Sequence, residues 1–349
     1  MATPASSLLA TIELAPRDPI LGVTEAFNAD PNPRKVNLGV GVYTDDTGKV
    51  PLLECVRRAE KEIAENPAPR SYLPIDGLPA YDREARALLF GADSEVVKSG
   101  RAVTVQALGG TGALKIGADF LRRFAPDAQV WISDPSWENH RALFEAAGFT
   151  VNVYPYYDAP TRGLNFTAMR DALKALPAGS IVLLHACCHN PTGVDPTPAQ
   201  WKEIIDVVRE RQLVPFVDLA YQGFAEGLEA DAAVPRQFAA TPGPLLVSTS
   251  FSKSFSLYGE RVGALSIVGA DKAEADRVLS QVKRLIRSNY SNPPTHGGKI
   301  VSAVLASPEL RALWEAELGT MRDRIKLMRA KLVERLHERL PGSDFNYMV

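Results

Sequence analysis

The sequence predicts an α/β protein in which helices cover both sides of a mostly parallel mixed sheet. Short apolar runs rich in Val, Ile and Leu alternate with stretches of helical periodicity between about 103 and 268. Strands buried on both faces have this composition, because helices shield each side of the sheet from water. The predicted strands are Val103–Leu108, Gln129–Ser133, Thr150–Tyr154, Ile181–His185, Val214–Val217, Leu245–Ser248 and Gly263–Val268.

The clearest helix of this pattern begins after Thr197. Thr197 and Gln200 have the spacing of a capping box around Pro198, which suits the first helical position. Apolar residues from Trp201 to Val208 follow at three- and four-residue intervals and form one face. This helix leads into a predicted strand, so the segment reads as a helix–strand unit of a parallel sheet.

A long helix is predicted from Ser307 to Pro341, because only Gly319 interrupts the helical pattern. Roughly 33 residues at 1.5 Å each would span about 50 Å, which suits a helix that packs between domains. Turn-forming residues dominate the first 51 residues. We therefore expect a large domain at 52–310, and an N-terminal arm with an incomplete, smaller α+β domain from 1–51 and 311–349.

Composition excludes several classes of function. The net charge is −2, with 46% hydrophobic and 23% charged residues and no basic stripe, so neither nucleic acid nor an anionic membrane is an expected partner. We find no apolar run of about 20 residues and no secretory signal pattern. The three cysteines, Cys55, Cys187 and Cys188, cannot build a disulfide framework. A cytoplasmic protein is expected.

A glycine-rich segment follows the first predicted strand. Gly109-Gly110-Thr111-Gly112 precedes the helical stretch Ala113–Phe124. Backbone N–H groups at such a turn can bind a phosphate, helped by the positive end of the helix. The segment matches neither the dinucleotide fingerprint nor the P-loop. By itself it is equally consistent with a phosphate cradle and with a structural tight turn.

Two further strand ends carry reactive groups. The segment Ser248–Ser254 surrounds Lys253 with hydroxyl groups, and Arg261 follows eight residues later. Hydroxyls and a guanidinium suit a phosphate monoester, and the amine could attack an aldehyde. Asp218 and Tyr221 end another strand, where a buried carboxylate needs a cation or hydrogen-bond donors. A solvated lysine and a capping aspartate are the alternatives.

The strand end that precedes Asn190 carries residue types that can bind a metal. His185, Cys187 and His189 alternate and would face one side of a strand. This spacing does not easily give a closed tetrahedral site, so we expect no metal. Asn190 opens an Asn-Pro-Thr-Gly turn, where its amide could donate to a ligand.

These candidates occur in chain order at successive strand ends. They are the glycine segment, Trp137, Asn190, Asp218, Tyr221, Lys253 and Arg261. The ordered set resembles the fold-type I pyridoxal-phosphate enzymes, and among them the class I aspartate and aromatic aminotransferases. The resemblance extends from about Leu38 to the chain end. Its most specific segments are Tyr72–Gly77, Cys188–Gly193, Asp218–Phe224, Ser252–Arg261 and Arg287–Pro294.

The resemblance implies pyridoxal 5'-phosphate as cofactor, with its aldehyde bound covalently by Lys253. Asp218 would keep the pyridine nitrogen protonated, Tyr221 and Asn190 would bind the ring oxygen, and Trp137 would stack on the ring. The implied phosphate anchor is Gly110, Thr111, Ser250, Ser252 and Arg261, with Tyr72 from the neighbouring subunit of a homodimer. His140 and His185 would support this first layer of contacts.

Amino acids and 2-oxo acids are the implied substrates. The implied substrate-binding residues are Val40, Gly41, Trp137, Asn190, Arg287, Ser291 and Asn292. Arg287 resembles the arginine that crosses the dimer interface to bind a distal carboxylate. Segments such as Phe255–Gly259 are closer to the aromatic branch of the family. We expect transfer from tyrosine or phenylalanine, and also from aspartate, to 2-oxoglutarate; an aspartate aminotransferase restricted to dicarboxylates is the alternative.

Members of this family continue for some tens of residues and carry a second arginine for the α-carboxylate. If the chain ends at Val349, we expect impaired transamination, and a non-catalytic cofactor-binding protein becomes an alternative. A decarboxylase, β-lyase or cyclising synthase on the same scaffold is another. A nucleotide- or phosphate-binding enzyme that uses only the Gly109 turn is the last.

Overall fold

The structure is a computed structural model that describes residues 7, 9–15, 21–37, 39 and 41–349. It divides into two compact units, Met1–Val50 and Pro51–Val349. Helix α1, Leu21–Ala29, lies in the first unit, where Lys35 Nζ donates to the Phe27 carbonyl at 2.6 Å. Gly41 is exposed in this unit, and Val40 lies outside the described residues. The division into a domain at 52–310 and a smaller one stays a prediction.

The larger unit, all of whose residues are described, is built around a seven-stranded sheet. Its strands are β1 Ala102–Leu108, β2 Val130–Asp134, β3 Val151–Pro155, β6 Ile181–His185, β7 Val214–Leu219, β8 Leu245–Ser250 and β9 Val262–Val268; β4 Tyr157–Asp158 and β5 Gly163–Leu164 form a separate antiparallel pair. The order is β1-β9-β8-β7-β6-β2-β3, and β9 runs antiparallel to both of its neighbours. The other neighbouring pairs are parallel. The predicted fold class is confirmed.

Helices lie on both sides of this sheet. They are α2 Glu54–Glu65, α3 Pro79–Phe90, α4 Glu95–Lys98, α5 Gly109–Phe124, α6 Glu138–Ala146, α7 Phe166–Ala175, α8 Pro198–Glu210, α9 Leu228–Asp231, α10 Ala233–Ala239, α11 Lys272–Asn289, α12 His296–Ala306 and α13 Pro308–Arg339. Successive side chains of β6 point to opposite faces of the sheet, and both faces are covered by helices, so apolar residues are needed throughout. Ile181 and Leu183 join the core that includes residues of α5 and α11, while Val182 and Leu184 join the core that includes residues of α7 and α8.

Local signals in the sequence set the predicted helix ends. The capping box of α8 is present, with Gln200 N donating to Thr197 Oγ1 at 3.3 Å and Thr197 N donating to Gln200 Oε1 at 2.8 Å. Helix α13 starts after Ser307 and runs for 32 residues, close to the predicted length. One start differs: α5 begins at Gly109, not after Gly112, so the glycines form its first turn. Among the described residues, no helix is both long and apolar enough to cross a membrane.

Candidate active site

The candidate residues converge because β6, β7 and β8 are adjacent and parallel. In such a sheet the carboxyl ends of neighbouring strands meet at one edge, where ligands bind. The register pairs His185 with Asp218, and Asp218 with Ser248. Tyr221 follows β7 within two residues, and Lys253 follows β8 within three. One edge therefore presents an acid, a phenol and an amine.

Asp218 is held by a buried hydrogen-bond chain. Its side chain is almost fully buried, and its Oδ2 lies 3.0 Å from His140 Nε2. His140 Nδ1 in turn lies 2.9 Å from Ser136 Oγ, just before α6. A carboxylate only accepts hydrogen bonds, so His140 Nε2 carries the donated proton. The chain fixes the position of the carboxylate at the strand end.

His185 supports the same corner of the site from β6. Its ring centroid lies 5.0 Å from that of His140. Burial lowers the pKa of His185 well below its usual value, so the imidazole is neutral near pH 7. Its Nε2 is buried and has no hydrogen-bond partner within the described residues. Ligand atoms of His140, His185 and Asp218 lie within 4.8 Å of one another, and the absence of a metal here stays a prediction.

Lys253 and Tyr221 lie close together at this edge. Lys253 Nζ lies 5.1 Å from the centroid of the Tyr221 ring. Burial lowers the pKa of the Lys253 amine, Arg261 adds to this effect, and Asp218 opposes it. Burial also raises the pKa of Tyr221 to about 12, against a hydrogen bond with Asn190 that lowers it. The phenol thus stays protonated near pH 7, and the amine loses its proton more readily than a solvated lysine does.

Ser250, Ser252 and Arg261 lie near the start of α5 and form a candidate cradle for an anion. Arg261 Nη1 lies 3.4 Å from Ser252 Oγ, and Ser252 N donates to Ser250 Oγ at 3.3 Å. Gly109 has a φ of +69°, and a Cβ there would lie 2.5 Å from Arg261 Nη2. Only glycine lets the guanidinium approach this backbone so closely. The hydroxyls, the guanidinium and the helix N-terminus together suit a phosphate dianion.

Thr111 and Gly110 also belong to this cradle. Gly110 lies against Ser250, since a Cβ on the glycine would be 3.2 Å from the serine Cβ. A cavity of about 320 Å³ adjoins the cradle and includes Thr111, Arg261 and Tyr290 in its lining. Trp137 directly precedes α6 and contacts the His140 ring edge-on, with centroids 5.1 Å apart. These groups would suit an aromatic ring that has a basic nitrogen facing Asp218 and a phosphate facing Arg261.

Other predicted residues lie apart from this centre in the single chain. Tyr72 is 92% exposed, so its predicted contact requires a second subunit. Arg287 is exposed near the end of α11, where its Nη1 donates to Ser291 Oγ. Asn292 Nδ2 donates to the Pro293 carbonyl at 3.3 Å. The predicted roles of these residues in substrate binding stay predictions.

Sequence reasoning missed two carboxylates, the partly buried Asp195 and the buried Asp231, which bind the segments that carry Asn190 and Tyr221. Asp195 accepts hydrogen bonds from Cys188 N at 2.6 Å and from His189 N at 2.9 Å. Asp231 accepts from three backbone N–H groups in the loop that follows Tyr221. Asp195 lies two residues after the Asn-Pro-Thr-Gly turn, a position typical of carboxylates that bind turn N–H groups. That spacing was the available signal.

The family model described as aminotransferase class I and II matches residues 33–349. The chain belongs to this family. The chain is 62% identical over 342 residues to an aspartate aminotransferase of Pseudomonas aeruginosa, which covers 98% of this chain and 86% of the relative. It is 50% identical over 333 residues to the aromatic-amino-acid aminotransferase of Escherichia coli, with 95% and 84% covered.

Solved aminotransferase structures agree with this assignment. The aromatic-amino-acid aminotransferase of Burkholderia pseudomallei, covalently bound to pyridoxal phosphate, superposes with a TM-score of 0.96. It is 65% identical, and the match covers 98% of this chain and 86% of that structure. This aminotransferase is therefore a pyridoxal-phosphate-dependent enzyme of fold type I, as the resemblance implied.

Proposed function

We propose that this aminotransferase moves the amino group of tyrosine or phenylalanine, and also of aspartate, to 2-oxoglutarate in the cytoplasm, by a ping-pong mechanism. The observation that carries the proposal is the placement of the Lys253 amine over the Tyr221 ring, at the sheet edge that also holds Asp218. Pyridoxal phosphate, when bound, supplies an aldehyde for covalent attachment of amines and a ring that accepts electrons. The chain's own residues must then hold the ring and move one proton.

Lys253 is the proposed proton carrier and the residue that binds the aldehyde. Its lowered pKa, caused mainly by burial, leaves a larger fraction of the amine uncharged at neutral pH. An uncharged amine can accept the Cα proton of the substrate and would return it to C4′ of the cofactor, the carbon on the other side of the shared nitrogen. Tyr221, 5.1 Å from the amine, limits where that nitrogen can move.

Asp218 has the proposed task of keeping the ring nitrogen protonated. The hydrogen bond from His140 at 3.0 Å holds one carboxylate oxygen and leaves the other for the ring. Tyr221 and Asn190, which share a hydrogen bond, are the proposed partners of the ring oxygen. Trp137, which contacts His140, is the proposed stacking residue.

The phosphate is assigned to the cradle at α5. Its proposed donors are Gly110, Thr111, Ser250, Ser252 and Arg261. Tyr72 is proposed to complete it from a second subunit, since the side chain projects into solvent in the isolated chain. A homodimer with shared active sites follows, because each cradle would lack one donor in a monomer.

Arg287 is proposed to bind the distal carboxylate of dicarboxylic substrates across that dimer interface. The Ser291 hydroxyl accepts a hydrogen bond from Arg287 Nη1. This bond orients the guanidinium and leaves other N–H groups of the side chain for binding a carboxylate. Asn292 is proposed to line the same subsite. Relatives named for aspartate and for aromatic amino acids are both similar to this chain, which supports a dual specificity.

Borohydride reduction tests the proposed attachment residue. The reagent should fix the cofactor covalently to the wild-type protein, and peptide mapping should find the label on Lys253. Lys253→Ala should lose the label, while Lys202→Ala, which removes an exposed lysine of α8, should keep it. Labelling that persists in Lys253→Ala would refute the assignment.

Steady-state kinetics with tyrosine, phenylalanine and aspartate as donors to 2-oxoglutarate test the specificity. Comparable kcat/KM values for tyrosine and aspartate support the dual enzyme, whereas turnover of aspartate alone identifies the narrow aspartate aminotransferase. Arg287→Leu should lower kcat/KM for aspartate by about 10- to 100-fold, because a charge-assisted pair is lost, and should affect phenylalanine little. Arg284→Leu, one turn earlier in α11, is the matched control. Equal losses for both substrates would contradict the role of Arg287.

A further inference from the structure

Four buried aromatic side chains contact one another in series and are here called the aromatic column. It consists of Tyr81 on α3, Phe251 and Phe255 after β8, and Trp314 on α13, each at most 4% exposed. Successive ring centroids lie 5.8, 5.5 and 4.5 Å apart, with the first two contacts edge-on and the last stacked. Such contacts hold rings in fixed relative positions.

Trp314, at one end of the column, contacts the turn that carries Lys253. Trp314 Nε1 donates to the Ser254 carbonyl at 2.7 Å, and Ser254 is the residue directly after the lysine. The Phe255 ring stacks on the Trp314 indole. Trp314 therefore binds the peptide that follows Lys253 through both a hydrogen bond and a ring contact.

The other end of the column holds the phosphate cradle. The Tyr81 hydroxyl donates to the Gly263 carbonyl at 2.6 Å. Gly263 lies directly against Gly109, because a Cβ on Gly263 would be 2.4 Å from the Gly109 carbonyl carbon. A shift of Gly263 therefore moves the first residue of α5 and with it the backbone N–H groups of the cradle.

Trp314 is itself held firmly in place by α13. One turn later, Glu317 accepts hydrogen bonds from Glu54 N at 2.6 Å and Cys55 N at 3.1 Å, the first two N–H groups of α2. The next residue, Leu318, packs against Gly223 in the loop after Tyr221. This part of α13 thus contacts the lysine turn, the tyrosine loop and α2 within five residues.

We propose that the aromatic column sets the distance between the lysine and the phosphate cradle, with Trp314 and Tyr81 as positioning residues. The inference rests on the proposed role of Lys253. Neither residue belongs to the groups assigned to the cofactor or substrate, so each acts through the backbone that it binds. Loss of the indole N–H should let the Lys253 turn relax, and loss of the tyrosine hydroxyl should loosen the cradle.

Four variants of the cofactor-loaded protein separate positioning from packing. Trp314→Phe and Tyr81→Phe keep a ring but remove the donor. Trp201→Phe in α8 removes another buried indole, and Tyr154→Phe removes another buried hydroxyl that donates to a carbonyl, at 2.8 Å to Leu183. The readouts are kcat, KM, the cofactor dissociation constant, and the pH midpoint of the absorbance change of the covalently bound cofactor.

Trp314→Phe should lower kcat at least about fivefold with little change in KM, and should move the pH midpoint. Tyr81→Phe should raise the cofactor dissociation constant about fivefold or more. Both controls should retain wild-type values even where their unfolding temperatures fall. If Trp314→Phe does not fold, the cofactor affinity of Tyr81→Phe decides the question alone.

The column is merely structural if Trp314→Phe and Tyr81→Phe lose thermal stability but keep the wild-type kcat, pH midpoint and cofactor affinity. That result overturns the inference while leaving the site assignment intact. Failure of the assignment looks different, because borohydride would then label a residue other than Lys253 in the wild-type protein.

Discussion

Asp82 should destabilise the fold at neutral pH, and replacing it with asparagine should stabilise the protein. The side chain lies in α3 and is 8% exposed. Its Oδ1 has no hydrogen-bond partner among the described residues. Burial raises the pKa of Asp82 from its usual 3.8 to about 8, and the neighbouring Asp76 raises it further, against smaller opposing effects that include Arg86.

The sign of the pH dependence follows from proton binding. Between pH 3.8 and about 8 the folded protein keeps the Asp82 proton, whereas the unfolded chain releases it. The folded state therefore binds more protons, and its stability falls as the pH rises through this window. Each pH unit costs about 1.4 kcal/mol, so the change from pH 5 to pH 7 is at most about 3 kcal/mol. Asparagine does not titrate, and this loss should vanish in Asp82→Asn.

Urea unfolding at pH 5 and pH 7, followed by tryptophan fluorescence, measures the effect. Asp82→Asn should gain stability over the wild type, with a larger gain at pH 7. Asp231→Asn is the matched control, because Asp231 is also buried but accepts hydrogen bonds from three backbone N–H groups. It should lose about 2 kcal/mol at both pH values. A gain for Asp82→Asn that is equal at both pH values would show that this carboxyl does not titrate in the window.

Three further variants test other features. Gly109→Ala should weaken cofactor binding severely, because its Cβ would lie 2.5 Å from Arg261 Nη2. Gly91→Ala is the control, since Gly91 also has a positive φ but faces open space, and it should bind the cofactor normally. Equal cofactor affinities of the two variants would refute the cradle. Asp218→Ala should keep part of the cofactor affinity but lose about 100-fold or more in kcat, measured by half-reaction kinetics; near-normal turnover would contradict its role. Glu317→Gln should lower the free energy of unfolding by about 1–2 kcal/mol, because the N-terminus of α2 loses its carboxylate. The measurement is urea unfolding, and an unchanged midpoint would argue against that contact.

Apolar runs predicted the sheet well because burial on both faces leaves a strong compositional signal. Strand ends made of polar residues were harder to place. Strand β8 extends to Ser250, two residues beyond the predicted end, since Thr249 and Ser250 pair with Ala264 and Gly263 of β9. A run of hydroxyl side chains is typical of a loop, so the sequence predicted an earlier strand end. In the structure their backbone groups complete the sheet.

The layer of residues behind the site depended on contacts between distant parts of the chain. His140 and Asp218 are 78 residues apart, and the resemblance alone suggested that His140 supports the site. The Trp314 contact with Ser254 spans 60 residues, and the sequence predicted only a packing helix there. Local periodicity reports which face of a helix is buried, and it does not identify the partner on the other side.

The reversed direction of β9 explains how one arginine reaches the phosphate cradle. Pairing with β1 sets Leu108 opposite Val262, so the end of β1 and the start of β9 lie at the same edge of the sheet. Gly109 and Arg261 are the next residues on either side of that pair. A parallel β9 of the same seven residues would carry Arg261 about 23 Å away, to the opposite rim. The direction of a single strand thus places the Arg261 guanidinium beside Gly109, where the phosphate is proposed to bind.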